Sequence, residues 1–146
     1  MVHTEIREQD RPDTTAGIMT LYALSGGFDQ PAGIAAGSDG NLWFTSALGN
    51  VGRITPSGNI SSFAVPKVGG NVGSLQDITA GPDGNLWFTV WYAYPTEKVG
   101  RITTSGTVTL VNVPTSGNGA DTITSGPDGN LWFTEAFAYK IGVLAP

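Results

Sequence analysis

Three carboxylates, Asp77, Asp121 and Glu135, are the acids with the best claim to chemistry in this chain. Acids of this kind suit a bound cation or ordered water; alternatively, each caps its own turn. Five aromatics accompany them, Phe28, Trp91, Tyr92, Tyr94 and Phe137, with Asp29 and Gln76 close by. Aromatic faces beside a few acids and amides suit a sugar ring, a cyclic peptide or a cation. The same rings could instead pack on one another or across a subunit boundary. Proton transfer near neutrality favours histidine, yet the single histidine is His3, ahead of any apolar pattern. Glu135 is left as a weak catalytic candidate. There is no cysteine, so no thiolate metal site. No G-x-S-x-G, P-loop or H-E-x-x-H occurs.

Composition narrows the classes. A net charge of −5 with seven scattered Lys and Arg gives no basic face for nucleic acid. No apolar run is long enough for a membrane-spanning helix. The opening "MVHTEIREQDRPDTT" lacks the apolar core of a signal peptide, so the expected compartment is the cytoplasm. Residues 1–15 carry charge and almost no apolar pattern, which predicts a flexible tail. Twenty-one glycines without a collagen period point to many turns and short strands.

The elements that must position the candidate residues come from a repeat. "GSDGNLWFT" (37–45), "GPDGNLWFT" (81–89) and "GPDGNLWFT" (126–134) are near-identical, and each is trailed by "VGRITPSG", "VGRITTSG" or "IGVLAP". Their spacing fits a four-stranded propeller blade. Strand a is a run of small apolar residues, followed by a G-S/P-D-G turn. Strand b is "NLWFT", strand c is "VGRIT" or "IGVLA", and strand d is "NISSFAV" or "TVTLVNV". The unbroken apolarity of strand b is what a sheet covered on both faces requires.

The predicted fold is therefore an all-β propeller of four-stranded antiparallel blades, three per chain. Blade one spans 31–66 and blade two 71–114. Blade three, 119–146, has strands a to c only. "GIMTLYAL" (17–24) reads as a strand d without a blade, so the N-terminal strand is expected to complete the last blade. Propellers normally have four to eight blades. An open three-blade stack leaves two faces of about 300 Å² each, forgoing roughly 7 kcal/mol per face. The expected assembly is a homodimeric six-bladed ring in which each partner's residues 17–24 close the other's split blade.

In such a blade the d-to-a and b-to-c connections share one end, where function usually sits. These carry Phe28, Asp29, Trp91, Tyr92, Tyr94, Phe137 and Tyr139, with Gln76, Asp77, Asp121 and Glu135 nearby. Asp77 and Asp121 begin strand a and are expected to line the channel. Tyr139 is expected to pack beside strand c. Arg53 and Arg101 recur in strand c, which argues for a salt link between blades rather than a site.

With "GPDGNLWFTE", "KVGRITTSG" and the trailing V-x-V-P in view, residues 17–146 resemble the virginiamycin B lyase (streptogramin lyase) family. The resemblance implies a seven-bladed propeller in one chain. It also implies an enzyme that opens the ester of cyclic type B streptogramins by elimination. A histidine is then the acid–base and acidic residues hold Mg²⁺. That chemistry uses a metal to stabilise enolate-like charge and a base near neutrality to take the α-proton. Two departures stand out. The chain has three blades, and no histidine lies in a repeat. Glu135 fills the slot after "WFT", where the other blades have Ser46 and Val90.

The leading expectation is a homo-oligomeric scaffold that catalyses nothing and binds a small polar or cyclic ligand, or a sugar, at the loop-rich mouth. The alternatives are a Mg²⁺-dependent lyase working through Glu135, Asp77 and Asp121, or a piece or engineered assembly of propeller repeats with no ligand.

Overall fold

The computed structural model describes residues 17–92, 97–115 and 119–146, and the backbone of residues 3–6. Each blade is nucleated by its turn. Asp39 Oδ1 accepts from the Asn41 N–H at 3.2 Å and from Trp43 Nε1 at 3.1 Å, and Oδ2 accepts from Asn41 Nδ2 at 2.8 Å. Asp83 and Asp128 repeat the pattern with Asn85 and Trp87, and with Asn130 and Trp132. The turn closes through Gly40, Gly84 and Gly129 at φ near +80°, a left-handed conformation glycine adopts freely. Burial raises the Asp83 carboxyl, but bonds from Asn85, Trp87 and Arg101 outweigh it and hold the group at about 2.

From these turns the chain runs into antiparallel strands. Blade one is β3 (Pro31–Ala36), β4 (Leu42–Ser46), β5 (Asn50–Ile54) and β6 (Ile60–Ala64), in that order. Blade two is β7 (Ser74–Ala80), β8 (Leu86–Trp91), β9 (Lys98–Ile102) and β10 (Val108–Asn112). Blade three is β11 (Ala120–Ser125), β12 (Leu131–Glu135) and β13 (Lys140–Leu144). Residues 3–6 and 19–22 form a separate pair, β1 (His3–Ile6) with β2 (Met19–Tyr22). Among the described residues there is no helix long and apolar enough to cross a membrane.

Strand alternation sends Leu, Phe of "LWF" one way and Trp, Thr the other. Between blades one and two, Trp43, Val51 and Val65 meet Ile78, Leu86, Phe88 and Ile102 in one buried cluster. Between blades two and three, Trp87 and Val99 meet Ile123, Leu131 and Phe133 in a second. The Phe ring lies flat against the strand-c glycine of its own blade. A Cβ on Gly52, Gly100 or Gly142 would come within 2.1–2.2 Å of it, which explains the "VG" and "IG" of each repeat.

The repeat threonine is a staple between blades. Thr45 Oγ1 takes the Gly33 N–H at 2.8 Å and donates to the Gln76 carbonyl of the next blade at 3.1 Å. Thr89 Oγ1 takes the Asp77 N–H at 3.2 Å and donates to the Asp121 carbonyl at 2.5 Å. Thr134 takes the Thr122 N–H at 3.0 Å, but its hydroxyl meets the Thr122 hydroxyl instead.

One expectation changes. Residues 3–6, read as part of a flexible tail, form a strand, because β2 without a blade offers an edge that another strand can pair with. Within one chain the last blade has three strands, the a to c expected of it, and β2 lies with β1, its Tyr22 facing Phe44 and Ile54 of blade one across a cleft.

A carboxyl held low contributes stability above its ordinary value and loses it as pH falls through the folded value. Asp83→Asn is therefore less stable than wild type at neutral pH, and urea midpoints of the two proteins converge between pH 3.8 and about 2. Thr89→Val, which strands buried partners on two blades, lowers stability by about 1–3 kcal/mol in urea unfolding.

Candidate functional site

The two loop sets meet at one end of the blades, as expected. The Asp29 N–H donates to Ser46 Oγ at 3.3 Å, and that hydroxyl donates back to the Asp29 carbonyl at 2.8 Å. The Ala136 N–H donates to the Gly119 carbonyl at 3.2 Å. These bonds tie the d-to-a connections before blades one and three to the b-to-c turns that follow.

At the seam of blades two and three, three of the candidate residues come together. Trp91 Nε1 donates to the Ala120 carbonyl at 2.7 Å. The Trp91 and Phe137 rings lie 5.8 Å apart at 53°. Gly119, at φ +55°, makes room for both, since a Cβ there would sit 3.1–3.2 Å from each ring. Glu135 pairs with Ala120 across β11 and β12, and its carboxyl is buried. Glu135 Oε2 has no hydrogen-bond partner among the described residues. Burying an unsatisfied carboxylate oxygen is costly. Phe137 is largely exposed beside it.

The other candidates do other work. Tyr92 is buried, its hydroxyl donating to the Pro66 carbonyl at 2.6 Å, and burial raises its phenol above 10.0. It holds loops together and presents no face to a ligand. Phe28 packs on Phe44 with centroids 5.0 Å apart, on blade one. The Asp29 backbone is taken up by Ser46, and the Gln76 amide donates to Ser74 Oγ at 2.9 Å. Tyr94 lies outside the described residues. Tyr139, expected to pack, is almost wholly exposed at φ +55°, because its turn forces a left-handed residue there.

Asp77 does not line a channel with a free carboxylate. Its Oδ1 accepts from the Ile78 N–H and its Oδ2 from the Ile123 N–H, both at 2.9 Å, so it bonds blade two to blade three. Asp121 contributes its carbonyl to the Thr89 staple. No group of three acids, histidines or cysteines that could hold a metal occurs among the described residues. Asp77, with each carboxylate oxygen engaged by one backbone donor, is not gathered with Asp121 and Glu135 into such a group. Arg53 reaches the Thr104 carbonyl of blade two at 3.4 Å and stacks over Trp43, a link between blades but not a salt link. Arg101 pairs with Asp83 of its own blade at 3.1 Å.

The profile of the virginiamycin B lyase family matches residues 8–146. The chain belongs to this family. It is similar to the solved virginiamycin B lyase from Staphylococcus aureus, in selenomethionine-substituted form, at 40% identity and a TM-score of 0.77. That alignment covers 89% of this chain and 42% of the other. It is similar to a streptogramin B lyase at 31% identity, TM-score 0.69, over 88% and 44% of the two chains. A catalytically inactive variant of the S. aureus enzyme, solved with Quinupristin, matches at 31% identity, TM-score 0.70, over 88% and 45%. This chain thus spans less than half the length of these virginiamycin B lyase relatives. No curated protein matches it.

Sequence reasoning missed the threonine staple, although "WFT" recurs with its threonine unchanged after an apolar run. It missed the Trp91–Ala120 and Tyr92–Pro66 bonds, which join residues far apart in the chain and carry no local signal. Tyr92→Phe leaves the Pro66 carbonyl without its donor and lowers stability by about 1 kcal/mol in urea unfolding. In wild type the raised phenol adds stability below its ordinary value that is lost as pH climbs through the folded value, a loss absent from Tyr92→Phe.

Proposed function

We propose that this chain is a binding scaffold of the virginiamycin B lyase family that catalyses nothing. Completed to a six-bladed ring by a second copy, it takes a small polar or cyclic ligand at its loop-bearing end. The observation that supports this reading is the Trp91–Phe137 pair next to Glu135, whose buried Oε2 has no donor among the described residues. A ligand N–H or O–H satisfies that oxygen while an apolar ring edge packs on the exposed Phe137 face. Elimination needs a base tuned near neutrality. The chain's one histidine, His3, stands in β1, outside every repeat.

Quinupristin, the cyclic molecule bound in one solved relative, is a direct probe. Calorimetric titration is expected to show saturable binding, weakened about tenfold or more by Phe137→Ala and by Glu135→Gln. Mass spectrometry is expected to show no ring-opened product, with or without Mg²⁺. Ring-opened product instead establishes the lyase reading. Absence of saturable heat removes this ligand class.

A further inference from the structure

Every seam between blades in this chain uses the same side chains, and one seam is split between the two ends of the molecule. In the first seam Trp43 and Val51 come from one blade; in the second, Trp87 and Val99. The matching residues of blade three are Trp132 and Ile141, and no neighbouring blade covers them among the described residues. Trp132 is 39% exposed against 4% for Trp87, and Ile141 is 65% exposed against 1% for Val99.

The receiving side of a seam is Ile78, Leu86, Phe88 and Ile102 in blade two. In blade one the matching residues are Ile34, Leu42, Phe44 and Ile54. Ile34 is 63% exposed where Ile78 is 3%. Each seam also takes two residues from strand d of the blade that supplies the Trp, as Phe63 and Val65 do in the first. "YAL" (22–24) matches "FAV" (63–65). Tyr22 and Leu24 already stand against Ile34, Phe44 and Ile54, lining a groove of about 330 Å³. Among the described residues the N-terminal part of the chain thus forms a seam without its Trp-bearing strands, and the C-terminal part presents such strands uncovered.

We infer that the occupant of each open face is the other face of a second copy, in a register copied from the internal seams. This rests on the ring reading above and gives it residue-level content. Trp132 enters the partner's groove and stacks on the ring at position 22, as Trp43 stacks on Phe63 at 5.4 Å. Thr134, whose internal counterparts bond the carbonyls of Gln76 and Asp121, bonds the carbonyl at position 32 of the partner. β13 pairs with the partner's β2 on the side away from β1. In blade one Phe63 pairs with Val51 and Ser61 with Arg53, so Tyr22 falls opposite Ile141 and Thr20 opposite Val143. The contact is head-to-tail, and two copies close it with two identical seams. Four faces of about 300 Å² each bury about 1,200 Å² in total, the size of a specific interface.

The test uses the whole chain, which has no cysteine of its own. Light scattering is expected to give about twice 15.2 kDa. Thr20→Cys with Val143→Cys is expected to give an oxidised, covalently linked dimer. Leu21→Cys with Val143→Cys, which places the thiols on opposite faces, is expected not to. Trp132→Ala is expected to raise the dimer dissociation constant at least about 30-fold with unchanged far-ultraviolet circular dichroism. Trp87→Ala, inside a finished seam, is expected to unfold more readily. A wild-type monomer overturns both the ring and this seam. A dimer that cross-links through Leu21→Cys and not Thr20→Cys overturns the register and leaves the ring standing.

Discussion

A blade in this protein is apolar on both faces, and only another blade can cover it. That constraint explains the strand-c glycines, which let the Phe ring lie flat on its own sheet. It explains the small residues of strand a, where the neighbouring blade approaches so closely that a Cβ on Gly33 would sit 2.7 Å from Asp77 Oδ1. It also explains why Thr45 and Thr89, the "WFT" threonines inside a seam, are buried. Each hydroxyl takes one backbone donor from its own blade and satisfies one acceptor of the next, so the polar atom costs nothing in the apolar seam.

The candidate site follows from the same geometry. Where both blades of a seam are present, the loop bonds at its end are complete, and the aromatic pair Trp91–Phe137 is held by the Ala120 carbonyl and the opening at Gly119. Glu135 then sits buried on the inward face of β12, where Phe88 and Val90 stand in the previous blade. A carboxylate stands there where blade two packs Val90. Membership of the virginiamycin B lyase family sets the scaffold. The repeats of this half-length chain carry no histidine, and both Asp77 carboxylate oxygens accept backbone bonds that join blade two to blade three.

The blades were legible because three copies of one sequence vary around a shared pattern. Any residue that recurs, such as the Asp of the turn or the glycine of "VG", has a local reason that can be read from spacing. Residues with a single occurrence were harder. Tyr92 looked like a ligand face and is a loop tie, since its partner Pro66 is 26 residues away. Asp77 looked like a channel acid and is a bond between blades, since its second acceptor meets Ile123. Residues 3–6 showed no apolar pattern, and pairing came from the edge that β2 offered.

By itself the sequence determined the number of blades, the strand order within each, the turn chemistry and the end at which the loops gather. All of these depend on contacts within one repeat. Only the tertiary structure decided which side chains meet across a seam, which carboxylates are already spoken for, and that Trp132, identical in sequence context to Trp87, faces outward. Two tryptophans in the same nine-residue phrase differ because one has a neighbouring blade and the other does not, and a neighbour is not written into the phrase.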